Sequence, residues 1–515
     1  MLNLSVILED SARRYPVQPA FTFMDTTMNY AQINGAANMV AAGLKGIGIK
    51  PGDKVGLSCF NLPYFPIVYF GILKAGGVVV PLSVLLKKDE IAYHLQDSDA
   101  KAYFCFVGTD DLPIGQMGHA GFQEATECEH FFMIMPKPEM PSPIEGTKTL
   151  GSLMAGQSPA NDTFATGAED TAVIIYTSGT TGRPKGAELT HSNLLQNAIL
   201  STGIINTQHE DTQLIVLPLF HIFAMTCLMN AGIYKGNHSI LLPRFDASAV
   251  FGLMAKHTVT IFAGVPTMYW GLLNENSGKF DYTSIAANLR MCVSGGSALP
   301  VQVLEDFEKR FGVPILEGYG MSEGSPVVTF NHLDIGRKPG SVGTPAWGVE
   351  VKLVDENDNE VPQGEKGELC YRGHNVMKGY YKRPEVNKEV LKGGWMHSGD
   401  VAIQDEDGFY FIVDRTKDMV IRGGLNVYPR EVEEVMMKHE AISLVAVIGV
   451  PCDQMGEEIK AYVVLKEGAS ASPEEIIAWT KDHIAAYKYP RLVEIVDALP
   501  MSATGKILKK ELRKS

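Results

Sequence analysis

Short apolar runs rich in β-branched and aromatic residues alternate along the chain with segments of helical period, the rhythm of an α/β protein. Lys54-Val-Gly-Leu-Ser-Cys59, Gly77-Val-Val-Val80 and Ala102-Tyr-Phe-Cys-Phe-Val107 predict strands, with a helix over Tyr64 to Lys74 between the first two. The longest apolar stretch, Phe65 to Leu82, contains Lys74 and the pair Gly76-Gly77. It predicts a buried helix running into a strand rather than a membrane span. Thr171-Ala-Val-Ile-Ile-Tyr176 predicts a further strand, and the Pro-, Gly-, Ser- and Thr-rich residues 136–167 before it predict a surface connection.

The pattern changes near Asp414-Arg-Thr-Lys417. Beyond it, Pro429-Arg-Glu-Val-Glu-Glu-Val-Met-Met predicts a helix opening on proline and early acids, as the helix dipole prefers. Ser443 to Val450 and Ile459 to Leu465 predict strands, and Ser472-Pro-Glu-Glu-Ile-Ile opens another helix with a capping signature. Two domains are therefore expected, residues 1–416 and a small α+β unit over 417–515. A chain of 515 residues is in any case too long for one core.

Composition narrows the class without naming it. The formal net charge of -14 argues against bulk nucleic-acid binding. The seven cysteines are scattered and never spaced C-x-x-C, so a disulfide framework and a zinc motif are both unexpected, and a reducing cytoplasm fits. The first residues, Met1-Leu-Asn-Leu-Ser-Val, carry no basic start or cleavage signature, so no secretory signal is expected. Peripheral membrane contact stays open, as does the oligomeric state, a homodimer included.

The richest chemistry lies in Tyr176-Thr-Ser-Gly-Thr-Thr-Gly-Arg-Pro-Lys-Gly186. Gly179, Gly182 and Gly186 allow tight turning and close approach to a ligand. Thr177, Ser178, Thr180 and Thr181 offer hydroxyls and Lys185 a positive charge, a donor set for triphosphate oxygens. The nucleoside-triphosphatase pattern G-x-x-x-x-G-K-[ST] is absent, and a polar surface turn is the plain alternative. Glu317-Gly-Tyr-Gly-Met-Ser-Glu-Gly324 combines an aromatic that can stack on a base, a hydroxyl and a carboxylate able to hold Mg²⁺. Trp395-Met-His-Ser-Gly-Asp400, Asp414-Arg415, Arg422-Gly-Gly-Leu-Asn-Val-Tyr-Pro429 and Pro500-Met-Ser-Ala-Thr-Gly-Lys506 follow in order.

Together these segments resemble the adenylate-forming superfamily of acyl-CoA synthetases, luciferases and peptide-synthetase adenylation domains, over nearly the whole chain. The resemblance implies an α/β fold, with a large multi-subdomain N-terminal domain and a small mobile α+β C-terminal domain. It implies an AMP-forming acid–CoA ligase using ATP, Mg²⁺ and coenzyme A. By the same resemblance the 177–182 loop and Lys185 bind phosphates and Tyr319 stacks on adenine. Gly318, Gly320 and Ile412 complete the nucleotide pocket, and Ser322 touches the α-phosphate. Glu323 with Thr177 holds the metal, and Asp400 and Arg415 hold the ribose. Lys417 is the implied hinge, Gly423 and Gly424 line the coenzyme A channel, and Lys506 is the catalytic lysine.

The acyl pocket implied by resemblance comprises His221 as gate and catalytic neighbour, with Phe223, Val265, Gly295 and Gly320. Peptide-synthetase domains carry an aspartate in the segment matching Phe220-His221; none is present here, and a substrate ammonium would be left unpaired. Acetate-specific members place Trp where Gly320 stands. A medium- or long-chain fatty acid is therefore expected, with a hydroxycinnamate-like aryl acid as the alternative. Transfer to a carrier protein, or luciferase-like oxidation, are the remaining readings.

Overall fold

The computed structural model describes residues 2–177, 183–275, 277–415, 418–452 and 454–514, apart from the Arg415 side chain. An eight-stranded sheet runs, edge to edge, Gly379–Tyr380, Lys185–Thr190, Thr171–Thr177, Val78–Pro81, Lys54–Ser58, Ala100–Phe106, His130–Ile134 and Lys148–Thr149. The strands expected near 54, 77, 102 and 171 all lie in it, and the expected helix is Tyr64–Lys74. From Val78–Pro81 outward to Lys148–Thr149, and between Val78–Pro81 and Thr171–Thr177, pairing is parallel. This accounts for the unbroken apolar runs, since such strands are covered on both faces.

Phe65 to Lys74 is buried throughout. The helix Tyr30–Gly46 crosses Tyr64–Lys74 closely because Gly71 has no side chain; a Cβ there would lie 2.5 Å from Val40 Cγ1. Lys74 is buried with it, its ammonium 2.5 Å from Glu9 Oε1. Residues 136–167 are not all connection. They hold the strand Lys148–Thr149 and the helix Leu150–Met154, where Thr149 accepts from the Ser152 amide and Ser152 from the Thr149 amide. Such a reciprocal cap lets a short helix form in a polar stretch.

A nine-stranded sheet runs Thr344–Pro345, Val327–Phe330, Ile315–Gly320, Met291–Ser294, Ile261–Gly264, Thr212–Ile215, His238–Leu241, Pro19–Phe23 and Thr26–Asn29. Its middle strands are parallel, and Ile315–Gly320 turns back antiparallel through Val327–Phe330. A four-stranded antiparallel sheet follows, in the order Val349–Val354, Gly367–Gly373, Met396–Gln404, Tyr410–Arg415.

The smaller C-terminal domain pairs Leu425–Val427, Val420–Arg422, Gly456–Leu465 and Ile442–Cys452, with Leu492–Ile495 added in parallel to Gly456–Leu465. Its helices Pro429–Met436 and Pro473–His483 begin at the proline and at the Ser472 cap, as expected. Trp270 Nε1 donates to Ser443 Oγ at 2.8 Å, and the Arg430 amide donates to Asp414 Oδ2 at 3.2 Å, joining this unit to the preceding part of the chain. Among the described residues no helix is long and apolar enough to cross a membrane.

Candidate active site

The strand Thr171–Thr177 delivers Thr177 to one side of the site, and Lys185 opens the returning antiparallel strand directly opposite it. Ser178, Gly179, Thr180, Thr181 and Gly182, expected to cradle phosphates, lie outside the described residues. Thr177 Oγ1 donates to Glu323 Oε1 at 3.1 Å, and the Tyr380 hydroxyl donates to the same oxygen at 2.6 Å. Glu323 is buried in the one-turn helix Ser322–Gly324, which also places Ser322. The Lys185 ammonium sits 4.7 Å from the centre of the Tyr380 ring. Carboxylate and hydroxyl oxygens so arranged are the hard donors that Mg²⁺ takes.

The strand Ile315–Gly320 carries Gly318, Tyr319 and Gly320. Tyr319 donates its hydroxyl to Asp400 Oδ2 at 2.5 Å. Burial first, and then the Asp400 charge, push the phenol well above its usual range. Glycine at 318 and 320 is set by packing, because a Cβ would fall 2.1 Å from Phe330 Cδ2 and 2.0 Å from the Pro326 carbonyl oxygen respectively. Gly320 thus lacks a side chain for a reason additional to pocket volume.

Asp400 is buried, and its backbone stands opposite Arg415 in the antiparallel pair Met396–Gln404 with Tyr410–Arg415. A carboxylate at this point can accept from ribose hydroxyls, which are donors. Ile412 lies on the same strand, its carbonyl accepting from Arg430 Nη1.

The residues expected on the acyl side gather separately. Phe223 begins a π-helical turn, Phe223–Asn230, and its amide donates to His221 Nδ1 at 3.3 Å. The imidazole is therefore an acceptor there. Burial, followed by the charge of Lys506, holds its pKa down to about 4. A Cβ at Gly295 would meet Phe223 Cε1 at 3.4 Å, and one at Gly296 would meet Val265 Cγ1 at 3.6 Å, so these residues share one wall.

Lys506 reaches this region through a tight turn. The Ser502 amide donates to the Lys506 carbonyl at 2.8 Å, and Gly505 takes a φ of +77°. Thr267 Oγ1 donates to the Gly505 carbonyl at 2.7 Å, and a Cβ at Gly505 would lie 2.9 Å from Val265 Cγ2. Gly423 and Gly424 stand in the turn between Val420–Arg422 and Leu425–Val427, with φ +57° and +81°. A Cβ at Gly423 would meet Met455 Sδ at 3.2 Å, and one at Gly424 would meet nothing within 4 Å. Lys417 lies outside the described residues.

Sequence reasoning did not single out Tyr380 or Glu317. Tyr380 acts across 57 residues of chain, with no local pattern to mark it. Glu317 lay inside a recognised segment. Its buried carboxyl accepts from the Leu299 amide at 2.9 Å through Oε1, while Oε2 has no hydrogen-bond partner among the described residues. Burial pushes it up to about 7.

Residues 8–381 match the AMP-binding enzyme family, and residues 431–506 match the AMP-binding enzyme C-terminal domain. The chain belongs to the AMP-binding enzyme family. Membership makes it an AMP-forming acid–thiol ligase working with ATP, Mg²⁺ and coenzyme A. It is 37% identical to a long-chain-fatty-acid–CoA ligase of Bacillus subtilis (strain 168), covering 99% of this chain and 94% of that one. It is 35% identical to a feruloyl-CoA synthase of Amycolatopsis sp, covering 98% and 97%. The crystal structure of the anthranilate CoA ligase AuaEII in complex with anthranoyl-AMP superposes with a TM-score of 0.92 at 30% identity, covering 99% of this chain and 96% of that one.

Proposed function

We propose that this family member joins a medium- or long-chain fatty acid to coenzyme A in two half-reactions at one site. In the first, a carboxylate oxygen bonds to the α-phosphorus of ATP and the bond to pyrophosphate breaks. In the second, the coenzyme A sulfur attacks the acyl carbonyl, AMP leaves, and the thiol proton passes to solvent. Thr177, Lys185 and the 178–182 loop hold the phosphates, and Tyr319 stacks on adenine between Gly318, Gly320 and Ile412. Ser322 touches the α-phosphate, and Asp400 and Arg415 orient the ribose. Glu323 with Thr177 would hold Mg²⁺, which supplies charge neutralisation at the phosphates when bound.

Lys506 brings its ammonium between carboxylate and α-phosphate, where two anions must meet. One observation carries the assignment: the Thr267–Gly505 bond docks the Lys506 turn on the wall that holds His221. Neutral His221, Phe223, Val265, Gly295 and Gly320 form the acyl pocket. An apolar wall without a carboxylate suits an uncharged tail.

We place the domain boundary between residues 416 and 417 and give the C-terminal domain a rotation about Lys417. The rotation brings Gly423 and Gly424 to the coenzyme A channel for the second half-reaction. The contact of the Lys506 turn with Thr267 suits the first pose. A reducing, cytoplasmic setting suits cysteines that are free and, except for Cys452, buried. The aryl reading is kept alive by the similarity to a feruloyl-CoA synthase and an anthranilate CoA ligase.

The test is pyrophosphate release from ATP and Mg²⁺ over acids from acetate through palmitate to coumarate, with and without coenzyme A. Palmitate-stimulated release followed by coenzyme A-dependent AMP is expected. Preference for coumarate would move the assignment to aryl acids. Release without coenzyme A-dependent turnover would move it to a carrier protein or an oxidative acceptor.

A further inference from the structure

Outside the site, three side chains of different chemistry meet on the four-stranded sheet. Glu368 and Cys370 alternate on the strand Gly367–Gly373, so they share a face, and His397 pairs directly with Cys370 from the strand Met396–Gln404. Cys370 Sγ lies 3.3 Å from His397 Nδ1, and Glu368 Oε2 lies 3.2 Å from the same nitrogen. One ligand atom from each residue falls within 4.8 Å of the others.

A single Nδ1 proton serves either the sulfur or the carboxylate well, not both. A cation at their centre would satisfy all three at once. We propose that Glu368, Cys370 and His397 form a binding site for a zinc-class divalent ion, distinct from the Mg²⁺ position at Glu323.

The geometry suits such an ion. Zinc bonds of about 2.3 Å to sulfur, 2.0 Å to imidazole nitrogen and 2.0–2.2 Å to carboxylate oxygen imply tetrahedral ligand separations of roughly 3.3–3.6 Å. The two separations from His397 Nδ1, 3.3 Å to sulfur and 3.2 Å to the carboxylate, fall within a few tenths of an ångström of that range, and the sulfur-to-carboxylate separation is at most 4.8 Å. Thiolate, imidazole and carboxylate together favour a borderline-soft metal over Mg²⁺ or Ca²⁺. The far ring nitrogen of His397 lies 4.0 Å from Asp358 Oδ1, beyond a direct hydrogen bond, but the carboxylate's charge favours a proton on that nitrogen and so leaves Nδ1 as the ligand atom.

The thiol itself is buried, while His397 and Glu368 keep 15% and 31% of their side-chain surface exposed, leaving solvent a route to a fourth position. Without metal the thiol is neutral. Burial, Glu368 and Asp358 push it up to about 12, against the opposing charge of Lys352. Binding would release that proton to solvent as the sulfur–metal bond forms. Glu368 Oε1 meanwhile accepts from the Gly399 amide at 2.9 Å, so the ion would tie the two strands together beside the Asp400 turn.

The test is a Co²⁺ titration of the full chain, read by the thiolate-to-cobalt charge-transfer absorption. One equivalent should bind, be displaced by Zn²⁺, and persist in excess Mg²⁺. Cys370→Ala should abolish the band. Because Cys370 lies in the sheet, Glu368→Gln provides a gentler variant and should weaken cobalt binding about tenfold or more. Asp358→Asn should weaken it about tenfold through His397. Absence of the band, its survival in Cys370→Ala, its loss in Cys452→Ala, or unchanged affinity in Glu368→Gln would overturn the proposal.

Discussion

Glu317 shows how one buried acid can set a pH dependence. Its carboxyl titrates near 7 in the fold and near 4.5 when exposed, so the folded chain keeps a proton that the unfolded chain loses in that window. Its contribution to stability is fully present below about 4.5 and is lost as the pH climbs through about 7. Glu317→Gln keeps an acceptor for the Leu299 amide and removes the charge. It should raise the unfolding free energy from urea curves at pH 8, by on the order of 3 kcal/mol, and change it little at pH 4.5. An equal shift at both values would exclude the carboxyl as the cause. The resemblance gave a role to Glu323 and none to Glu317 six residues earlier, and no feature of the residue itself marked Glu317 as the buried one. Both look like one motif, and only burial and partners separate the one facing Tyr380 and Thr177 from the one facing Leu299.

Among the elements, the strand Ile315–Gly320 does two jobs, presenting Tyr319 and pairing tightly with Val327–Phe330. Gly320→Ala should therefore destabilise the protein, by about 1–3 kcal/mol as overpacking does, and weaken nucleotide binding together with it. Thermal melting with and without ATP measures both. A variant that melts normally and merely changes chain-length preference would make Gly320 a pocket residue alone.

The parallel strands and the helix Tyr64–Lys74 were legible because full burial writes itself as unbroken apolar runs. The Lys148–Thr149 strand and the helix after it were not, because a two-residue edge strand and a single capped turn leave no periodicity in a polar stretch. Asp400 and Tyr319 could each be picked out by their segments. That the phenol would donate to the carboxylate across 81 residues could not.

For the molecule as a whole, the relation of Lys506 to His221 reports on how the two domains meet. The lysine's charge helps to depress the imidazole, behind burial. Lys506→Ala should raise the His221 pKa above about 4, followed by its ring proton shifts in an NMR titration. It should also slow adenylate formation by about 10²–10³-fold, while thioester formation from supplied acyl-adenylate is largely retained. An unmoved His221 titration would mean that the docked arrangement is little populated in solution. The order of motifs made two domains legible, but which surfaces touch, through Trp270 and Ser443 or Thr267 and Gly505, is a property of folded shape.

The bond from the Thr267 hydroxyl to the Gly505 carbonyl joins two uncharged groups, and a bond of that kind is worth about 1 kcal/mol net. Taken by itself, it favours the closed latch over the open one only about fivefold. A clasp this light suits the rotation proposed above, in which the turn lets go once per turnover. On that proposal the firmer grip falls to the anionic cargo, whose charge would draw the lysine in and whose departure would set it free.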